Sequence, residues 1–216
     1  YEIFVRERQL ELEGEKFPDW MMPIDQFTNI AAFVPVLGSG TSAQPFKTVE
    51  DYDNWLKRGA AIPAIYDQAI ANMREGMKAG VVQPKALMLK VIPQLDAIIN
   101  DDPAKTTFWG PITNMPKEFS AEDQKRLTEA YRVMIAEQLM PAYKRLRAFI
   151  ADEYLPATRE SVSLSALPDG EAWYAFNAKT QTTTELTPAE IHEIGLKEVA
   201  RIQGEMREVM KQVGFE

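Results

Sequence analysis

Residues 187–213 read TPAEIHEIGLKEVARIQGEMREVMKQV, and this stretch gives the clearest indication of the fold. Thr187, Pro188 and Glu190 supply a capping hydroxyl, a first-turn proline and an answering acid, which together predict the start of a helix. Apolar side chains then recur every three or four residues, as expected for one helix face. They are Leu196, Val199, Ile202, Met206, Val209 and Val213. Gly214 predicts a left-handed stop, so the stretch predicts one long amphipathic helix.

The same kind of pattern recurs towards the N-terminus. Thr48 and Asp51 have the spacing of a capping box, which predicts a helix through Tyr52 and Trp55. Pro63 is typical of a first helical turn, and Gly80 is typical of a helix end. We therefore expect two helices in this region, joined as a helical hairpin.

Two further helices are predicted in the middle of the chain. Pro84 begins one of them, and Pro93 should bend it because proline removes an amide donor. Ser120 caps a longer helix that should kink at Pro141 and end near Pro156.

The segment from 161 to 185 is the part with the weakest helical pattern. Residues 161–167 alternate weakly, residues 167–170 have the composition of a turn, and Thr182–Thr184 is β-branched and favours an extended backbone. The predicted fold class is all-α, with helical hairpins and long kinked helices and at most a small β element around 161–185. No domain boundary is evident, so residues 1–216 are predicted to form a single helical domain.

Composition narrows the range of functions. The 216 residues include 24 Lys and Arg against 32 Asp and Glu, a net charge of −8, which argues against a nucleic-acid partner. No apolar run is long enough to predict a transmembrane segment, and residues 1–15 are too charged for a signal peptide. Because the chain starts at Tyr1 without Met, we expect a processed or cut piece of a longer protein.

The supply of metal ligands is small. The chain has no cysteine and a single histidine, His192, so a two-histidine metal site cannot be completed within it. His192-Glu193 resembles the start of a zinc peptidase signature, but Leu196 stands where the second histidine would be. His192 lies on the apolar face of its predicted helix, which favours a structural histidine at the rim of the core over a ligand or an acid/base. We predict no catalytic residue, no metal ligand and no cofactor in this chain.

Other motifs have structural explanations. Gly38-Ser39-Gly40 lacks the Gly-Lys-Ser/Thr ending of a phosphate-binding loop and is interpreted as a surface loop. No Gly-x-Ser-x-Gly elbow of a serine hydrolase is present. Several aromatic residues could line a groove, although their helical spacing favours the core. They are Tyr131, Tyr143, Tyr154, Trp173 and Tyr174.

Several longer stretches resemble one bacterial family, the domain of unknown function 885. They include residues 44–52, Met73-Arg74-Glu75-Gly76, Pro141 to Leu146, Glu153-Tyr154-Leu155-Pro156, Leu164 to Gly170 with Trp173-Tyr174, and Thr182 to Leu196. Together they span nearly the whole chain. The resemblance implies a mostly helical fold related to zinc metallopeptidases of the gluzincin type. It also implies exported lipoproteins of the bacterial envelope or periplasm, lipid-anchored through a segment absent here.

In that family the zinc-binding stretch follows the region that this chain matches. The resemblance therefore implies the N-terminal half of a larger hydrolase, which forms scaffold and cleft wall and has the C-terminal half of the same protein as its partner. Zinc is implied for the complete protein only. Relatives are expected to have a histidine where this chain has Gln181, so an amide replaces a titratable group.

Six residues are candidates for contact with a peptide substrate. They are Tyr174, Gln181, Thr182, Thr183, Thr184 and His192. The threonines could present hydroxyls or a strand edge to an extended peptide. The alternative is a non-catalytic helical module that serves binding or scaffolding in an envelope lipoprotein. In either case, exposed apolar faces would make a homo-oligomer of the isolated chain plausible.

Overall fold

The computed structural model describes residues 1–215, and an all-α fold is confirmed for them. The α-helices are α1 (Glu2–Gly14), α2 (Ile30–Gly38), α3 (Val49–Ala79), α4 (Lys85–Ile98), α5 (Gly110–Thr113), α6 (Ala121–Val133), α7 (Met140–Ala148), α8 (Leu155–Ala157), α9 (Gly170–Thr182) and α10 (Pro188–Gln212). Short 3-10 segments occupy Asp19–Met21, Pro103–Lys105, Thr107–Trp109 and Leu164–Ala166. Extended pairing within 1–215 is limited to isolated bridges, Ile24 with Asn29 and Pro84 with Arg159.

The chain divides into two compact units. One comprises Pro18–Val162, and the other combines Tyr1–Phe17 with the chain from Ser163 onward. We call them the core unit and the terminal unit. A single domain over 1–216 stays a prediction.

Helix α3 is continuous where two helices were expected. Its capping box is confirmed, with the Asp51 N–H donating to Thr48 Oγ1 at 3.2 Å, and Gly80 ends the helix at φ 72°. The hairpin prediction is wrong, because Pro63 lies inside the helix. The buried side chains run unbroken past Pro63, so packing on both sides outweighs the local cost of a proline. They are Tyr52, Trp55, Gly59, Ile62, Tyr66, Ala69, Ile70, Met73 and Gly76.

The predicted long helix after Ser120 is a composite helical run from Ala121 to Ala157. Ser120 caps it as predicted, its Oγ accepting the Asp123 N–H at 3.0 Å. Two π-helical segments, Met134–Leu139 and Phe149–Tyr154, interrupt the α-helical pattern. Each lies directly before a segment with proline in its first turn. A π-helical turn widens the backbone pattern where proline lacks its amide donor, so the run continues instead of breaking.

A single hydrophobic cluster fills the core unit. It draws on α2, α3, α4 and the Ala121–Ala157 run. Its largest fully buried side chains include five tyrosines: Tyr52, Tyr66, Tyr131, Tyr143 and Tyr154. Trp173 is also buried, in the terminal unit, whereas Tyr174 is exposed. The core interpretation of these aromatic residues is confirmed for all but Tyr174.

The terminal unit has a much smaller buried set. Phe17 stacks on Trp173 with ring centroids 5.6 Å apart, and Phe176 lies 5.3 Å from Phe17. The buried residues in the described part of this unit are Phe17, Leu167, Gly170 and Trp173. Three long helices, α1, α9 and α10, therefore surround few buried contacts.

The segment thought able to form strands is helical or irregular. Residues 164–166 form a 3-10 turn in which the Ser163 hydroxyl accepts the Ser165 N–H, and α9 continues to Thr182. The β-branched preference of the threonines is overruled because the Thr182 hydroxyl donates back to the Ala178 carbonyl at 2.8 Å, a bond compatible with helix. The small β element that the sequence allowed around 161–185 is not formed by these residues.

Helix α10 begins and ends as predicted. Thr187 Oγ1 accepts the Glu190 N–H at 3.2 Å, and Glu190 Oε2 accepts the Thr187 N–H at 2.7 Å. Gly214 has φ 68°, and the Phe215 N–H donates to the Met210 carbonyl at 2.9 Å, as in a Schellman stop. The apolar stripe is not in a core, however, since none of the α10 residues is buried.

Candidate functional site

The six candidate residues lie on α9, on α10 and in the connection between them. Gln181 and Thr182 end α9, Thr183 and Thr184 follow, and His192 lies in the second turn of α10. Tyr174 lies in the first half of α9. All six side chains are exposed to solvent. This exposure contradicts the expectation that His192 is at the rim of a core, because no described residue covers that face of α10.

The threonine triplet forms a helix-capping turn. Thr183 adopts the left-handed conformation, with φ 58° and ψ 21°, and its N–H donates to the Lys179 carbonyl at 3.0 Å. The hydroxyls of Thr182 and Thr184 lie 3.0 Å apart and bond to each other. The Thr184 hydroxyl also accepts the Leu186 N–H at 3.4 Å. A strand edge is therefore absent from this turn, and the hydroxyls of Thr182 and Thr184 are already engaged.

An ion-pair cluster borders the turn. Lys179 Nζ lies 3.4 Å from a Glu13 carboxylate oxygen and 3.5 Å from a Glu185 oxygen. The hydrogen bond to Glu13 raises the pKa of the Lys179 amine most, and the negative charges of Glu13 and then Glu185 raise it further. Lys179 thus links α1, α9 and the connection to α10, and it stays charged at neutral pH.

The structure brings together only part of the candidate set. Gln181 to Thr184 form one turn, in which the Gln181 amide and the Thr183 hydroxyl point to no hydrogen-bond partner among residues 1–215. Neither Tyr174 nor His192 makes a side-chain hydrogen bond to the triplet within the described chain. The chemistry offered here is hydrogen bonding through exposed polar groups.

A second polar site, in the core unit, was missed by the sequence analysis. It is a shallow groove of about 470 Å³ between α3 and the helical run through α7. We call it the charged groove. Its lining residues are Asp67, Ile70, Arg74, Arg145, Ala148, Phe149, Asp152 and Glu153.

Paired charges dominate the charged groove. Arg74 donates to both carboxylate oxygens of Glu153 at 2.8 to 3.1 Å, and its guanidinium lies 5.1 Å from the Phe149 ring centre. These hydrogen bonds lower the pKa of the Glu153 carboxyl and raise that of Arg74. Arg145 is held in the same way by Asp67 at 3.0 Å. Both guanidinium groups are therefore committed within the protein.

Sequence signals for this groove existed in two of the family-like stretches. Arg74 belongs to Met73-Arg74-Glu75-Gly76, and Glu153 belongs to Glu153-Tyr154-Leu155-Pro156. The structure joins the two stretches through this ion pair, 79 residues apart in sequence. Because such a distance cannot be bridged by helical periodicity, the pairing was not predictable from spacing.

The residues of this chain do not fit a zinc site. Zinc sites need three or four closely spaced His, Cys, Asp or Glu ligands. Within residues 1–215 no group of three such side chains could hold a metal ion. His192, the single histidine, is exposed on α10. We therefore derive no metal-dependent step from these residues.

The fold and the two polar sites define a class: a helical protein with a tyrosine-rich core, exposed polar side chains at one helix turn and a groove of paired charges. No helix in the described part of the chain is both long and apolar enough to cross a membrane. The chain belongs to the family described as Bacterial protein of unknown function (DUF885), whose family model matches residues 1–216.

A solved structure shares this fold. It is described as the crystal structure of the putative lipoprotein from Colwellia psychrerythraea, and it matches with a TM-score of 0.79 at 20% sequence identity. The match covers 90% of this chain and 33% of that chain, so the present chain spans about a third of its length. No protein with a curated description matches.

Proposed function

We propose that this chain is the N-terminal helical part of a larger zinc metallopeptidase-like protein. In this proposal it forms scaffold and one wall of the substrate cleft, and the catalytic zinc motif lies outside it. The observation that carries the proposal is that the chain matches the family model throughout, yet corresponds to a third of a longer solved protein of the same fold.

The geometry favours a supporting role for the core unit. Its buried tyrosines join distant helices, and Arg74 and Arg145 are paired with acids of the neighbouring helix. Such groups hold the helices in place, and in the charged groove they hold both guanidinium groups against carboxylates of the protein. The rigid helical body can therefore support a cleft built on another part of the protein.

The turn of residues 181–184 at the end of α9, which we call the polar turn, is the part proposed to contact a peptide. Because Thr182 and Thr184 bond to each other, the groups available to a ligand are the Gln181 amide and the Thr183 hydroxyl. Tyr174 and His192 are exposed and able to contact the same ligand. An amide and a hydroxyl can pair with the main chain of an extended peptide.

The first test is the intact mass and zinc content of the native gene product. A product much larger than 24.5 kDa that carries zinc and hydrolyses peptides is the expected result. A product of 24.5 kDa without zinc would contradict the proposal and support the alternative below.

Substitutions at the polar turn test the peptide contact. Gln181→Ala and Thr183→Ala in the complete protein should raise KM for peptides and leave kcat nearly unchanged, because they remove binding groups remote from the reacting bond. Gln9→Ala, at an exposed glutamine on α1, is the matched control and should change neither constant. Unaltered KM in both turn variants would show that peptides bind elsewhere.

The alternative function is a non-catalytic helical module for binding or scaffolding in an envelope lipoprotein. Its lipoprotein part is supported by the solved protein of the same fold, which is described as a putative lipoprotein. Under either proposal, the envelope or periplasm is the expected location and a lipid anchor would lie outside this chain. Fractionation of the native host, with the product in the membrane-associated fraction, is the expected result for both.

A further inference from the structure

The exposed stripe on α10 has the spacing of a helix-docking seam. Five residues follow one another at intervals of three, four, three and four, which is the spacing of core positions in packed helices. They are Val199, Ile202, Met206, Val209 and Val213, and we call them the α10 stripe. Their exposed fractions range from 45% to 71%. Exposed apolar surface of this extent in a regular row is typical of an interaction surface.

The stripe is broadened on one side. Leu196 and Met210 are apolar and exposed, and they flank the row at equivalent heptad positions. A face this wide is typical of a helix that packs against several others, whereas a two-stranded coiled coil needs only the narrow seam.

The charges beside the stripe argue against pairing with a second copy. The other flank carries Glu198 and Glu205, and no Lys or Arg occupies either flank between 196 and 212. Two parallel copies would set these glutamates opposite Gln203 and Met210, and two antiparallel copies would set acidic flank against acidic flank. A self-pair therefore gains no complementary charge.

We propose that the α10 stripe is the docking surface for helices of the part of the protein that lies outside this chain. The inference rests on the proposed function, since it needs a longer protein, and it identifies the surface by which the two parts join. Two observations support this occupant. The present chain corresponds to a third of its solved neighbour, and the terminal unit has few buried residues of its own.

Thiol labelling tests the proposal directly. The 216 residues contain no cysteine, so a single introduced thiol can be located by peptide mass after reaction with a maleimide. Val209→Cys places it in the α10 stripe. Lys211→Cys, half a helical turn further on the opposite face, is the matched control and is also exposed. Unchanged circular dichroism of both variants would confirm that α10 remains helical.

In the complete gene product, the thiol of Val209→Cys should react several-fold more slowly than that of Lys211→Cys. In the chain of residues 1–216 alone, the two thiols should react at equal rates. Equal rates in the complete product would overturn the proposal. Protection in the short chain would also overturn it: protection that rises with concentration would indicate a second copy, and protection independent of concentration would indicate cover by residues of this chain.

These outcomes separate the docking surface from the proposed function. A longer product that protects Val209→Cys but holds no zinc would refute the peptidase-like function and leave the docking surface intact. A zinc-bearing peptidase in which both thiols are equally reactive would refute the docking surface and leave the peptidase-like function intact. A product no longer than 216 residues would overturn both.

Discussion

At the residue scale, the buried tyrosines stabilise the core unit through their hydroxyls. The Tyr66 hydroxyl donates to Tyr143 at 2.8 Å, and Tyr143 donates to the Ala31 carbonyl at 2.7 Å. This chain of hydrogen bonds joins α3, α7 and α2. Burial raises the pKa of Tyr143 and Tyr66, so both stay neutral and act as hydrogen-bond partners at any physiological pH.

We expect Tyr143→Phe to destabilise the core unit by about 1–3 kcal/mol, because it leaves the Ala31 carbonyl and the Tyr66 hydroxyl without their buried partner. Tyr131→Phe is the control. The Tyr131 hydroxyl is buried without a hydrogen-bond partner in the described structure, so its removal should be close to neutral or stabilising. Urea unfolding measures the free energy of unfolding of both variants. Equal losses of stability would show that the hydrogen bonds of Tyr143 add nothing specific to the core unit.

For three of the five core tyrosines, the sequence predicted burial but not the hydrogen-bond partner. Helical spacing placed Tyr131, Tyr143 and Tyr154 in a core, and all three are buried. Tyr66 and Tyr143 are 77 residues apart, however, and only the packing of α3 against α7 brings their hydroxyls together. Periodicity describes one helix face at a time, so it contains no information on the partner.

At the element scale, local signals decided where helices begin and tertiary packing decided where they continue. The caps at Thr48, Ser120 and Thr187 were predicted and are present, since each depends on groups three residues apart. Pro63 was misinterpreted as a helix start. Its local cost is offset by the buried face of α3 on both of its sides, which the local sequence does not reveal.

The cap of α3 should make stability depend on pH. The Asp51 carboxylate accepts the N–H groups of Lys47 and Thr48, and these bonds lower the pKa of Asp51 below its ordinary 3.8. A lowered folded pKa stabilises the protein above 3.8, and this contribution is lost as the pH falls through the folded value. Asp51→Asn should therefore lower the free energy of unfolding at pH 7, and the deficit should vanish in strong acid.

Glu50→Gln is the matched control for Asp51→Asn. Glu50 is an exposed neighbour in the same first turn that accepts no cap hydrogen bond in the described chain. Glu50→Gln should lower the free energy of unfolding at pH 7 by less than Asp51→Asn does, because it removes only a favourable interaction with the helix dipole. Denaturant titrations of both variants at several pH values measure the free energy of unfolding. A loss of stability for Asp51→Asn that persists in acid would show that the charged carboxylate is not its source.

At the scale of the whole molecule, the fold class was predictable from the sequence, whereas the division into two compact units was not. The all-α class followed from periodicity and caps, which are local. Two compact units arise because the terminal unit joins the two ends of the chain, a long-range arrangement without a local signature. The engagement of residues 181–184 in a capping turn depends on α9 extending to Thr182, which the β-branched composition of the triplet did not indicate.

The contrast in burial between α3 and α10 predicts how the chain of residues 1–216 opens. Nine residues of α3 are buried and none of α10 is, so α10 amides should exchange with deuterium much faster than those around Tyr66. Val209→Ala should leave the free energy of global unfolding nearly unchanged. Ile70→Ala, in the core unit, should lower that free energy by about 2–5 kcal/mol. Equal protection of α10 and α3 would mean that the stripe is already covered within this chain. If α10 exchanges slowly only in a longer gene product, the contacts that cover the α10 stripe come from outside residues 1–216.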